Sequence, residues 1–302
     1  MDIESLLEQL DGAYAPATLR AYRADLGKFL QWCEENDETA LPASTSAITG
    51  YLAAEVDRAV ATMERRLYSI RKIHAMLGYP DPCASAEAQI AIRRFKRSKP
   101  NRPRQVLGIT HDTLVEMLEH QPDTLHVLRN RALLSLGFDF LTRRSELAAL
   151  QAQDITFLAD GTVQGLIRRS KNDQLGLGRT AFGSRRSAQL LEVWIGVKDK
   201  KIPWLFCPIA NNSCFNRPLS TSQIRLIIKA AARDAGKAAD EVDEISGHSL
   251  RIGAAQELMM RGLDMSAIMR AGGWKTSDVV ARYVQRAEHN VWEQLNRMKL
   301  GS

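Results

Sequence analysis

The sequence predicts a mainly α-helical chain with one small antiparallel β-sheet, arranged as a helical bundle followed by a mixed α/β domain. Apolar residues recur with helical spacing from the N-terminus to about residue 98. A basic segment with two prolines then interrupts the pattern, because proline cannot continue a helix. Beyond it, residues 160–184 contain short β-prone pieces flanked by turn residues, as expected of a small sheet. We therefore expect domains at residues 1–98 and 107–302, joined by a basic linker at residues 99–106.

Three helices are predicted in the first domain from their apolar faces and end signals. Thr18 can cap a helix whose apolar face covers residues 19–30. Ser46 precedes a second, shorter helix. A third apolar stripe at residues 63–77 ends at Gly78, a residue that suits a helix C-terminus. These features together predict a small helical bundle.

The second domain begins with helices, changes to strands and returns to helices. Thr110 can cap a helix, and the apolar run at residues 132–141 predicts a buried one. Residues 160–184 supply the sheet. Helices resume at Ser187, and Ser220 can cap a helix with one apolar face.

Two more helices are predicted close to the C-terminus. Asp264 or Ser266 can cap the first, and the glycines at residues 272–273 end it. Thr276 or Ser277 can then cap the next helix, which carries the last tyrosine of the chain.

The composition is that of an ordinary globular protein, with 302 residues, 45% hydrophobic and 25% charged. No apolar run reaches the roughly 18 residues of a membrane span, and the N-terminus lacks an apolar signal segment. We therefore expect a cytoplasmic protein without membrane contact. The cysteines form no CxxC pair, which favours reduced thiols over a disulfide framework or a zinc site; they are Cys33, Cys83, Cys207 and Cys214.

Basic residues are concentrated in two places. The net charge of +6 alone is weak evidence for a polyanionic partner. However, residues 93–104 read RRFKRSKPNRPR, with no acid, and the helix after Ser220 carries a cation every fourth residue. Both stretches are compatible with solvated surfaces and with phosphate contacts. The predicted DNA-binding residues are Arg93, Arg94, Lys96, Arg97, Lys99, Arg102, Arg104, Arg225, Lys229 and Arg233.

Two pairs of candidate reactive residues lie three positions apart along the sequence. His248 and Arg251 begin a predicted helix, so both project from one face beside free N–H groups that favour anions. Arg143 and Glu146 follow the apolar run, where the acid would orient the arginine. Lys171 lies at a predicted turn tip. Each feature also has an ordinary explanation. His248 and Arg251 could be a helix cap, the arginine–glutamate pair could be a common ion pair, and Lys171 could be an exposed lysine without a role.

Tyr283 is the only tyrosine after residue 79, and it follows Trp274 within AGGWKTSDVVARYV. A tyrosine on a helix usually serves in packing. Packing alone does not explain why the candidate reactive residues named above precede this tyrosine in the order in which they occur.

Taken in order, these residues resemble the catalytic set of the tyrosine site-specific recombinases: Arg143, Lys171, His248, Arg251, Trp274 and Tyr283. The resemblance reaches to about residue 298 and is strongest in SGHSLRIGAAQELMMRG and AGGWKTSDVVARYV. A tryptophan at position 274 is typical of one subset, since most relatives carry a second histidine there. The resemblance implies a DNA breaking-rejoining fold for residues 107–302 and a DNA-clamping, core-binding role for residues 1–98.

The resemblance also implies a role for each residue. Tyr283 would attack a DNA phosphorus to form a 3′-phosphotyrosyl link, with His248 as acid/base toward it. Lys171 would protonate the leaving 5′-oxygen. The scissile phosphate would be held by Arg143, Arg251 and the Trp274 indole, with Glu146 as support. No metal, ATP or other cofactor is expected.

The implied partner is double-stranded DNA with an inverted-repeat site, bound by a homotetramer on two duplexes. The amphipathic tail at residues 289–299 would link neighbouring subunits. Two other classes remain: a non-catalytic DNA-binding protein with the same fold, and a type IB topoisomerase that acts as a monomer without site preference.

Overall fold

The computed structural model describes residues 3–99, 106–119, 123–169 and 176–284. The chain divides into two compact units, Met1–Arg104 and Gln105–Ser302. Most described residues are helical, and both sheets are small and antiparallel. The predicted fold class, mainly α with a small antiparallel sheet, is confirmed. Across these ranges, no helix combines the length and the hydropathy that spanning a bilayer requires.

The first unit has five helices in the described ranges: α1 (Ile3–Gln9), α2 (Pro16–Glu35), α3 (Thr45–Ala54), α4 (Val60–Met76) and α5 (Ala86–Arg97). Its core contains the apolar faces of α2, α3 and α4, including Phe29, Tyr51 and Ile70. The predicted bundle of three amphipathic helices therefore describes the centre of this unit.

Two predicted helix starts in this unit are wrong. Thr18 lies inside α2, which begins at Pro16 because proline is favoured in a first turn, where its missing N–H costs nothing. Ser46 lies inside α3, because the Ser44 hydroxyl accepts a hydrogen bond from the Ala47 N–H at 3.0 Å. Both helices therefore begin earlier than predicted.

Helix α5 is not among the predicted helices, and it carries the first part of the basic stretch. The Ser85 hydroxyl caps it, accepting from the Ala88 N–H at 3.1 Å. Cations near a helix C-terminus interact favourably with its dipole. The exposed ones here are Arg93, Arg94, Lys96 and Arg97.

The second unit has nine helices in the described ranges: α6 (His111–Leu118), α7 (Leu125–Asp139), α8 (Arg144–Ala149), α9 (Arg185–Val197), α10 (Thr221–Asp234), α11 (Ala239–Glu244), α12 (Ser249–Met260), α13 (Met265–Gly272) and α14 (Ser277–Val284). The caps predicted at Thr110, Ser220 and Asp264 are confirmed, since each side chain accepts from the N–H three residues on. Helix α9 begins at Arg185, capped by Ser184, slightly before the predicted Ser187.

Three antiparallel strands form the predicted sheet: β1 (Ile155–Phe157), β2 (Val163–Ile167) and β3 (Arg179–Gly183), in the order β1-β2-β3. Ile167 pairs with Arg179. A second hairpin, β4 (Ile209–Ala210) and β5 (Ser213–Cys214), is not predicted. Its two-residue turn places Asn211 and Asn212 at positive φ, which asparagine tolerates better than most residues.

Helix α12 packs so closely against the segment before α6 that only glycine fits at position 253. A Cβ there would lie 1.7 Å from the Ile109 carbonyl oxygen. The Ile109 N–H also donates to the Ser249 carbonyl at 3.0 Å. This contact fixes the start of α12, where two of the predicted site residues lie.

Candidate active site

Arg143 lies in the turn between α7 and α8. Leu141 in this turn has a φ of 49°, a left-handed backbone conformation that residues other than glycine rarely adopt. The buried Glu146 carboxylate accepts from the Arg143 N–H at 3.0 Å and from its guanidinium at 2.5 Å. The acid therefore holds the arginine in one orientation, as their spacing predicts.

Arg251 is buried near the start of α12, with 1% of its surface exposed. Its guanidinium donates to the carbonyls of Leu141 and Gly272, the latter at 2.8 Å. Burial and then repulsion from Arg143 lower the pKa of Arg251 to about 9. An anion placed here would favour the charged guanidinium.

Trp274 covers this guanidinium. The Arg251 Cζ lies 4.0 Å from the centroid of the indole ring, a cation–π contact. The indole Nε1 is buried and has no hydrogen-bond acceptor within the part of the chain that the structure describes. Gly273 ends α13 with φ 65, which directs the chain into this position. A buried N–H without an acceptor is costly, and a ligand oxygen placed here would satisfy it.

Tyr283 lies on α14 with its ring edge against the indole. The ring centroids of Trp274 and Tyr283 are 5.9 Å apart at 70°. Gln256 of α12 donates to the Tyr283 carbonyl at 2.9 Å, which ties α14 to the helix that carries Arg251. The phenol also opposes the fall in the Arg251 pKa, so the two groups are electrostatically coupled.

His248 lies at the N-cap position of α12, and the residue is exposed. Desolvation of the imidazole and then the charges of Arg144, Arg251 and Arg143 lower its pKa. The ring is therefore neutral at pH 7 and can accept a proton.

Arg179 of β3 is a member of this cluster that the sequence motifs do not identify. Its guanidinium donates to the carbonyls of Ala271 and Phe140, each at 2.8 Å, and lies 3.7 Å from Glu146. Burial lowers its pKa, Glu146 opposes that fall and Arg143 adds to it. A cation at a β-strand start is an ordinary sequence feature, so no signal marked it.

The described residues of the predicted catalytic set converge on one place. Trp274 contacts both Arg251 and Tyr283, and Arg143 is held by Glu146. His248 is close enough to Arg143 and Arg251 for their charges to lower its pKa. The remaining member, Lys171, lies outside the described residues, as do Arg102, Arg104 and the tail at residues 289–299.

The other predicted DNA-binding residues are placed within their own units. Lys99 lies 6.0 Å from the Phe95 ring centroid in the first unit. On α10, Arg225 and Arg233 are exposed, whereas Lys229 is half-buried and 3.5 Å from the Asp243 carboxylate. Part of the predicted basic stripe is therefore engaged in an intramolecular ion pair.

Two family models match the sequence. The one described as "Phage integrase family" matches residues 108–290, and the one described as "Phage integrase, N-terminal SAM-like domain" matches residues 3–78. The first covers more than half of the chain, and the second lies in the first unit.

Similar proteins carry matching names. An integrase/recombinase xerD homolog of Selenomonas ruminantium is 32% identical, over 96% of this chain and 87% of the relative. The recombinase cre of Escherichia phage P1 is 28% identical, over 85% of this chain and 80% of the relative. The fold resembles that of the XerH site-specific recombinase bound to palindromic difH substrate, with a TM-score of 0.69 and 16% identity over 98% of this chain and 84% of that one. The chain therefore belongs to the phage integrase family and is a tyrosine recombinase, as its ordered residues predict.

Proposed function

We propose that this enzyme is a site-specific DNA recombinase that cleaves and rejoins strands through a covalent 3′-phosphotyrosyl intermediate. The observation that carries the proposal is the packing of Tyr283 against Trp274 over the buried Arg251. A nucleophile and a cation thus lie on either side of one indole, whose N–H has no acceptor among the described residues. Phosphodiester cleavage needs a nucleophile and charge stabilisation of this kind, together with a proton for the leaving oxygen.

In the proposed reaction, the Tyr283 oxygen attacks phosphorus and the bond from phosphorus to the 5′-oxygen breaks. The phenolic proton passes to the neutral His248 imidazole. Lys171 donates a proton to the departing 5′-oxygen. The reverse sequence, with a 5′-hydroxyl from another strand, rejoins the DNA. The tyrosyl ester retains the energy of the broken linkage, so rejoining needs no ATP. No metal is proposed, because the two arginines would supply the charge stabilisation that a metal provides in other enzymes.

Charge stabilisation comes from the arginines and the indole. Arg143 and Arg251 would bind the non-bridging phosphate oxygens, and the Trp274 Nε1–H would donate to one of them. Donors fixed in this way before the substrate arrives typically contribute more than 10²-fold each to rate. Glu146 would maintain the orientation of Arg143.

The proposed substrate is double-stranded DNA with an inverted-repeat site. The XerH recombinase, which shares the fold, was solved on a palindromic DNA substrate. Residues 1–98 would clamp the duplex with residues 107–302, joined by the basic linker at residues 99–106. A homotetramer on two duplexes, linked through residues 289–299, would exchange the strands within the cytoplasm.

A direct test uses nicked suicide substrates made from inverted repeats in the DNA that flanks the gene. Wild-type protein should form an adduct that survives a denaturing gel, and Tyr283→Phe should form none. An equal adduct from Tyr283→Phe would rule out the mechanism. An adduct with any duplex, regardless of sequence, would instead support the topoisomerase alternative.

A further inference from the structure

Two turns of the second unit carry the proposed phosphate-binding groups. Residues 140–143 form the turn that presents Arg143, and residues 271–274, the last two of α13 and the two that follow, form the turn that presents Trp274. We call them the first turn and the second turn. The carbonyls at these two places have no intrahelical donors, because each place follows or includes a helix C-terminus.

Two arginines connect these turns. Arg251 donates to the Leu141 carbonyl of the first turn and to the Gly272 carbonyl of the second. Arg179 donates to Phe140 and Leu141 in the first, at 2.8 and 3.4 Å, and to Ala271 in the second, at 2.8 Å. The two guanidinium groups therefore bridge the same two pieces of backbone.

Only one of these arginines has another proposed task. Arg251 would have to turn donors toward a phosphate, which weakens its hold on the carbonyls. The two terminal nitrogens of Arg179 donate to backbone, whereas its buried Nε has no hydrogen-bond partner among the described residues. The guanidinium lies 3.7 Å from Glu146, the acid that orients Arg143. Its stem also passes directly over Gly273, where an added Cβ would lie 2.7 Å from the Arg179 Cδ.

We infer that Arg179 is a positioning residue: its forked guanidinium fixes the first turn relative to the second while Arg251 binds phosphate. This inference rests on the proposed function. The planar fork matters because a single ammonium cannot reach carbonyls on both sides with comparable geometry. A displacement of about 1 Å between catalytic donors is enough to reduce rate by about 10²-fold.

The experiment measures single-turnover adduct formation at saturating full-length protein, together with DNA affinity and thermal unfolding. For Arg179→Met we expect a fall in adduct rate on the order of 10²-fold. DNA affinity should stay within about threefold, because most phosphate contacts lie elsewhere. Arg179→Lys should remain about tenfold or more below wild type, since it keeps the charge but not the fork. The exposed Arg185 on α9 supplies the matched control, and Arg185→Met should behave as wild type.

A second measurement separates positioning from general support of the fold. In an Arg143→Ala background, Arg179→Met should reduce the adduct rate by a much smaller factor than in wild type, because the group that Arg179 positions is already absent. If Arg179 only supported the fold, Arg179→Met would reduce the adduct rate by the same factor in both backgrounds, in proportion to the folded fraction. That result would overturn the inference.

Full activity of Arg179→Met, or full rescue by Arg179→Lys, would also overturn it. Absence of an adduct from wild type itself would instead contradict the proposed function. The two failures are thus distinguishable.

Discussion

Arg251 is a deeply buried cation of the site. It is enclosed by Trp274 and two carbonyls, and burial, followed by repulsion from Arg143, lowers its pKa to about 9. A phosphate would reverse that effect, because the opposite charge favours the protonated guanidinium.

We therefore predict that Arg251→Lys reduces the single-turnover cleavage rate by about 10²–10³-fold, the usual cost of losing an oriented donor. DNA affinity should change little, since this is one contact among many. Arg261→Lys at the exposed end of the same helix is the control and should cleave normally. Unaltered cleavage by Arg251→Lys would contradict the assigned role.

His248 supplies a pH prediction. Its pKa is lowered, so the neutral ring persists as pH falls through its ordinary value near 6.5. The adduct rate should therefore stay constant from about pH 8 to 6.5 and decline only in more acidic buffer, when the base becomes protonated.

Arg144 makes the largest charge contribution to this shift, and Arg144→Met should raise the His248 pKa. The acidic decline of the pH–rate profile would then move to higher pH, and NMR titration of the imidazole should move with it. A profile that stays in place would show that His248 is not the titrating base. Arg185→Met removes an equal charge elsewhere and should leave the profile unchanged.

The sequence motifs predicted the positions of some of these residues but not of others. His248 and Arg251 share a helix start, so their spacing alone places them together. The position of Arg179 depends on the fold of β3 against α13, which brings residues roughly ninety positions apart in sequence into contact. Local patterns do not encode such long-range contacts.

At the scale of secondary-structure elements, the helices that begin with a side-chain cap were the most predictable. Ser220 and Asp264 each bond the N–H three residues on. The prediction at Thr18 was wrong because α2 already begins at Pro16. The prediction at Ser46 was wrong because Ser44 caps α3 two residues earlier. Where several capping residues or a proline lie within one turn, sequence alone does not decide between them.

Helix α12 permits a stability prediction. Gly253→Ala would place a methyl group against the Ile109 carbonyl and should destabilise the protein by about 1–3 kcal/mol. Adduct formation should fall as well, because α12 carries Arg251. The check is the urea-unfolding midpoint of the full chain.

Gly196 in α9 is the matched control, because a Cβ there meets nothing within 4 Å. Gly196→Ala should be neutral or stabilising by up to about 1 kcal/mol. Equal effects of the two substitutions would contradict the close packing of α12.

For the whole molecule, helical periodicity and the change of pattern near residue 160 were enough to predict the fold class. The β4–β5 hairpin escaped prediction because each strand has two residues, too few to establish an alternating pattern. Helix α5 escaped because its cations were assigned to the basic stretch rather than to a helix end.

The exposed cations of α5 carry a prediction for DNA binding. The double variant Arg93→Ala/Arg94→Ala should flatten the plot of log affinity against log salt by about two units, roughly 0.9 per lost phosphate contact. Titrations from low to moderate salt measure this slope. An unchanged slope would assign these residues to the solvated surface. The same design applies to Arg102 and Arg104.

The central claim is that the oxygen of Tyr283 becomes bonded to a DNA 3′-phosphate. Trypsin cleaves after Arg282 and Arg286, so an adduct made on a suicide substrate should release YVQR, residues 283–286. After nuclease treatment, mass spectrometry should find this tetrapeptide with a nucleotide on its tyrosine, linked through the 3′-phosphate. A nucleotide on another residue, or a 5′ linkage, would contradict the account.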